Sequence, residues 1–152
     1  SPQTLTMAAE TYLEAQHNDV EVSDEDIGAF LEKAVVLDPK DQYNSLTWID
    51  FLIEKEMWAE LERAKNITHH DPVNPYYLVR EVQAAARRDN QELAFELFSK
   101  VIESEDSNDW LYMTGYREIV SAGYKEALRD FLHQQLGNSK ANSKLGWLWA
   151  LF

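Results

Sequence analysis

The residues that could carry chemistry are few and scattered. His69-His70-Asp71 offers three metal-ligating types in a row. Neighbouring residues on a helix point in different directions, and the remaining histidines, His17 and His133, lie far away in the chain. The triplet reads better as a helix end, where imidazoles suit the negative pole of the helix dipole. Asp24-Glu25-Asp26 resembles an acidic cation cluster, but acidic side chains also favour helix N-termini. It is therefore expected to cap a helix starting near Asp26. Asn66-Ile67-Thr68 matches a glycosylation acceptor but falls on an expected helix. There is no glycine-rich phosphate loop, Gly-x-Ser-x-Gly elbow or His-Glu-x-x-His motif. No nucleophile–base set is legible. The expectation is a chain with no catalytic, cofactor-binding or metal-binding residues, and not an enzyme.

Composition narrows the class. The 152 residues are 45% hydrophobic and 12% aromatic, enough for a sizeable core despite a formal charge of −13. Five glycines and four prolines leave few obligatory turns, so long helices are expected rather than many short strands. The lack of cysteine excludes a disulfide framework within this sequence and any cysteine-ligated zinc site. With no apolar run of about 18 residues, no membrane span is expected. Ser1-Pro2-Gln3-Thr4 does not read as a signal peptide, which points to a cytoplasmic location. The missing initiator Met gives the expectation of a piece of a longer chain. Residues 1–41 hold 2 basic and 10 acidic side chains, whereas residues 110–152 hold 5 basic and 3 acidic ones. This balance disfavours direct nucleic-acid binding, which needs clustered Lys and Arg. An acidic N-terminal half could instead steer a basic partner.

The elements that would position any site follow from an internal period. Ala94, Phe98 and Val101 are spaced four and three, which puts them on one helical stripe. A step of 33 forward gives Ala127, Phe131 and Gln134. A step of 34 back gives Glu60, Ala64 and Ile67, and a further 33 gives Ile27, Leu31 and Ala34. Asp38-Pro39 and Asp71-Pro72 follow as expected helix ends, because proline lacks the N–H and restricts the residue before it. A second helix precedes each stripe, from about Tyr77 to Arg87 in the third repeat and from about Trp110 to Ser121 in the fourth. Asp89-Asn90 and Ala122-Gly123-Tyr124 make the turns between them. Such helix–turn–helix units cannot bury their apolar stripes alone, so they stack.

This pattern resembles the tetratricopeptide repeat family. Leu5, Ala8, Ala9, Tyr12, Ile27, Leu31, Ala34 and Pro39 match in the first repeat, given about six extra residues around Gln16–Ser23. Leu111, Gly115, Gly123, Tyr124, Ala127 and Phe131 match in the fourth. The second repeat departs from the pattern, with Trp48 at a small-residue position and Ala64 at one usually held by Phe. A large-for-small exchange is expected there, the indole filling the volume left by the missing ring. Trp48 and Phe51 alone also resemble the half-a-tetratricopeptide repeats of RNA-processing assemblies, which leaves an assembly factor as the alternative. A regulatory repeat region attached to a transferase-type enzyme is a further one.

The resemblance implies an all-α, right-handed α-solenoid of about four repeats plus a C-terminal helix. It would form one domain, residues 1–152, with repeats at about 2–41, 42–75, 76–109 and 110–142 and a partial one at 143–152. It also implies a non-catalytic scaffold that binds a peptide or helix of a protein partner in a groove lined by the first helices. The family's groove positions fall on Gln3, Thr6 and Glu10, then Ser45, Ile49 and Leu52. They continue at Tyr76, Val79, Gln83 and Arg87, then Tyr112, Tyr116 and Ile119. Arg80 stands near a position that some members use to grip a terminal carboxylate, but their Lys and Asn partners are missing. Residues 145–152, Leu-Gly-Trp-Leu-Trp-Ala-Leu-Phe, are apolar on nearly every face. Self-association through this segment is expected, because large apolar patches promote it.

Overall fold

The computed structural model describes residues 1–18, 21–68 and 71–136. These residues form eight helices and no strand. In order they are α1 (Pro2–His17), α2 (Asp24–Leu37), α3 (Gln42–Glu54), α4 (Trp58–Ile67), α5 (Pro75–Arg87), α6 (Gln91–Glu103), α7 (Asp109–Ser121) and α8 (Lys125–Leu136). The chain divides into two compact units, Ser1–His70 and Asp71–Phe152. The division falls close to the expected junction between the second and third repeats. The histidine pair His69-His70 and the apolar segment 145–152 lie outside the described residues.

Local chemistry explains where the helices begin. Pro2 and Pro75 occupy first-turn positions, where a missing N–H costs nothing. The side chains of Ser1, Ser23, Asp41, Asn74, Asn90 and Asn108 each accept a hydrogen bond from a first-turn backbone N–H. Three of these caps, Asp41, Asn74 and Asn108, recur at intervals of 33 and 34 residues. The acidic triplet is placed differently from the sequence expectation. The helix starts at Asp24 rather than near Asp26, and Ser23 is the cap, its hydroxyl accepting from Asp26 N at 3.1 Å. Asp24, Glu25 and Asp26 form the first turn, where their charge favours the helix dipole.

The turns that join α3 to α4, α5 to α6 and α7 to α8 share one geometry. Met57 N donates to Leu52 O, Asn90 N to Ala85 O and Tyr124 N to Ile119 O, at 2.9, 2.9 and 3.2 Å. The residues just before these donors, Glu56, Asp89 and Gly123, have φ of 55°, 55° and 91°. This is the Schellman closure, which satisfies orphan carbonyls through one left-handed residue. Gly123 takes that conformation freely, whereas Glu56 does so at a cost of about 1–2 kcal/mol. Before Pro39, α2 ends at Leu37, as expected. Before Pro72, α4 stops earlier, at Ile67, and the Asp71 carboxylate and carbonyl accept from Val73 N and Asn74 N in a separate turn.

Each unit is built in the same way. In the first, α1 packs on α2, α2 on α3 and α3 on α4, and α1 also touches α3. The α1–α3 side-chain pairs advance together: Thr6 with Asn44, and Gln16 with Lys55. The two helices therefore run parallel. In the second unit, α5 packs on α6 and α7, and α8 on α6 and α7. Tyr76 meets Asn108, and Gln83 meets Glu118, so α5 and α7 are parallel as well. Two of the four stripes read from the period form core throughout. Ile27, Leu31 and Ala34, and Ala94, Phe98 and Val101, are fully buried, as is Ala64. In the second stripe, Glu60 and Ile67 are only half-buried. In the fourth, Ala127 and Phe131 are half-buried and Gln134 is exposed, because α8 turns Leu128 and Leu132 inward instead.

Candidate partner-binding faces

The face shared by α5 and α7 gathers three of the expected groove residues, Tyr76, Gln83 and Arg87. Near its N-terminal end the Tyr76 ring stacks on Trp110, with centroids 6.4 Å apart and planes inclined by 27°. Asn108 Nδ2 donates to the Tyr76 hydroxyl at 3.1 Å. The Arg80 guanidinium lies 5.6 Å from the Trp110 ring centroid, within cation–π range, and donates to Tyr76 O at 3.1 Å. Trp110 is nevertheless 55% exposed, so this platform presents indole surface to solvent. Three turns along α5, Arg87 donates to both carboxylate oxygens of Glu118, at 3.0 and 3.3 Å, and Gln83 donates to the same group at 3.4 Å. The expected residues Tyr76, Gln83 and Arg87 are thus brought onto one face and tied to α7.

The other expected residues are placed differently. Val79, Tyr112, Tyr116 and Ile119 are buried in the second unit, and Ile49 and Leu52 in the first. They offer little surface to a ligand. Burial, with Asp109 adding to it, raises the Tyr112 hydroxyl above the ordinary tyrosine range. In the first unit, Thr6 and Ser45 are also buried. Thr6 Oγ1 donates to Asn44 Oδ1 at 2.7 Å, while Asn44 Nδ2 and Ser45 Oγ have no hydrogen-bond partner. Gln3 and Glu10 reach α3 and the cap before it. Gln3 donates to Asp41 at 3.4 Å, and the Tyr43 hydroxyl donates to Glu10. That carboxylate, foremost through the hydrogen bond, raises the Tyr43 hydroxyl above its ordinary range.

Sequence reading missed Trp110 and Tyr43 as members of these faces, and placed Arg80 only near a carboxylate-gripping position. A signal was available. Trp110 lies 34 residues after Tyr76, so the period itself places the two at equivalent positions of adjacent parallel helices. Arg80 follows Tyr76 by one turn.

On the opposite side of the first unit, Arg63 of α4 clamps Glu32 of α2 and Glu60 of its own helix, and its guanidinium sits 5.9 Å from the Trp48 ring centroid. Arg63 thereby holds the Glu32 carboxyl below its ordinary value. This network is architectural, because it joins α2, α3 and α4 around the largest buried side chain. Among the described residues, no cluster of three His, Asp or Glu side chains could hold a metal ion, and no helix is long and apolar enough to cross a membrane.

No family model matches the chain, and no curated protein or solved structure matches it either. Any functional reading therefore rests on the residues and their geometry.

Proposed function

We propose that this chain is a non-catalytic protein–protein interaction module built of tetratricopeptide-like repeats. It holds a peptide or helix of a protein partner against the exposed faces of its first helices. The observation that carries this reading is the Tyr76–Trp110–Arg80 platform. Two parallel helices hold an open indole against a tyrosine and a guanidinium. Trp, Tyr and Arg are the side chains that most often dominate protein interfaces. The caps at 41, 74 and 108 and the left-handed residues at 56, 89 and 123 support the repeat reading, because both sets keep the 33-to-34-residue step. The pairs Thr6–Asn44 and Gln16–Lys55 are 38 and 39 apart, which accords with an insertion within the first repeat.

The double variant Tyr76→Ala/Trp110→Ala tests this reading. In affinity capture from source-cell extract, quantified by mass spectrometry, it is expected to lose at least about tenfold of a partner that the unaltered chain retains. Its helical circular dichroism should not change. Equal recovery of every retained protein by both chains would contradict the proposal.

A further inference from the structure

The first unit carries a second exposed face, of different chemistry. On α1, Gln3, Met7, Glu10, Glu14 and His17 follow one another at intervals of four and three, and so share a stripe. On α3, Tyr43, Thr47, Asp50 and Glu54 do the same. The stripes lie side by side. Tyr43 donates to Glu10, and His17 Nε2 stands 3.6 Å from Glu54 Oε1. The surface they form bears four carboxylates, Glu10, Glu14, Asp50 and Glu54, and neither stripe contains a Lys or Arg. It is not simply a solvated acidic face, because Met7 is 65% exposed and Tyr43 60% exposed among those carboxylates. Met7 and Tyr43 give this charged face apolar area that an amphipathic partner would cover.

Resting on the interaction reading above, we propose that the α1–α3 face binds a basic amphipathic helix of a protein partner. Its Lys or Arg side chains would meet the four carboxylates, and its apolar side chains would cover Met7 and Tyr43. Spacing selects a helix. Glu10 and Glu14, like Asp50 and Glu54, are one turn apart, about 6 Å along the axis, which is also the step between basic residues at i and i+4 of a partner helix. From Gln3 to His17 the face is about 21 Å long, room for roughly fourteen helical residues. The same charge repels nucleic acid and anionic lipid, and steers a basic segment toward the face.

The test uses a fluorescently labelled sixteen-residue helical peptide with Leu on one side and Lys on the other, titrated by anisotropy at low and moderate salt. A peptide with Glu in place of each Lys is the control. Glu10→Gln/Glu14→Gln/Asp50→Asn/Glu54→Gln should bind about tenfold more weakly or worse, with a flatter salt dependence. Met7→Ala/Tyr43→Ser should also weaken binding. Glu92→Gln/Glu103→Gln/Glu105→Gln/Asp106→Asn, which removes the same charge from the second unit, should stay within about twofold. Circular dichroism confirms that each variant is folded. Equal weakening by the two charge-neutralised chains would reduce the effect to net charge and overturn the proposal. So would no binding of the Lys peptide, or indifference to Met7→Ala/Tyr43→Ser. If any of these occurs while the Tyr76- and Trp110-dependent partner is still retained, this face is lost and the interaction role stands.

Discussion

Trp48→Ala is expected to lower the unfolding free energy by about 3–5 kcal/mol, read from urea melts followed by circular dichroism. The indole is 1% exposed and is the largest fully buried side chain among the described residues. Its removal leaves a cavity that close-packed neighbours fill only in part. It also strips the Arg63 guanidinium of its aromatic partner. A loss of this size is a large share of the 5–15 kcal/mol that holds a typical domain together. A measured loss near zero would mean that the ring does not sit in the core. The proposed exchange of volume with Ala64 adds a second arm. If the two sites are coupled, Ala64→Phe should cost less in the Trp48→Ala background than in the unaltered chain.

Gly115→Leu should cost about 3 kcal/mol through overpacking in the second unit. A Cβ at Gly115 would stand 3.0 and 3.1 Å from two ring carbons of Phe98 and 3.7 Å from Val79 Cγ2. Phe98 is fully buried, so its ring cannot swing clear. Replacing glycine within a helix ordinarily returns up to about 1 kcal/mol of backbone entropy, which here only partly offsets the clash. Phe98→Leu in the same chain should recover part of the loss, seen as a favourable coupling term in a double-mutant cycle of thermal unfolding. If Gly115→Leu is tolerated within about 0.5 kcal/mol, the close approach of α7 to α6 is wrong.

These two positions mark how far the sequence could be read. The helical class followed from apolar spacing, and the stripes at Ile27, Leu31 and Ala34 and at Ala94, Phe98 and Val101 are core because four-and-three spacing leaves them nowhere else to go. Gly115 was legible as a position of the resembled repeat pattern, and the nearness of the Phe98 ring, which leaves no room for a Cβ, supplies its physical reason. The αL residue Glu56 was not legible, since nothing about a glutamate announces positive φ; Gly123 in the equivalent turn was. Tyrosines defeated the reading for another reason. An amphipathic ring serves a core and a groove equally well, and Tyr112 and Tyr116 went to the core while Tyr76 stayed half-open. The acidic face of α1 and α3 was visible only as excess charge, because knowing which carboxylates share a surface requires the parallel alignment of the two helices.

Contact between the first-helix faces and a polypeptide partner is what the proposed function requires. It is tested most directly by placing the photo-crosslinking residue benzoylphenylalanine at single positions of the protein in its source cells. Positions 7 and 110 lie on the α1–α3 and α5–α7 faces, and positions 62 and 96 lie on exposed turns of α4 and α6. Ultraviolet-dependent adducts with a protein of defined mass are expected at positions 7 and 110, and none at 62 and 96. Adducts confined to positions 62 and 96, or none at any of the four, would contradict the proposed function.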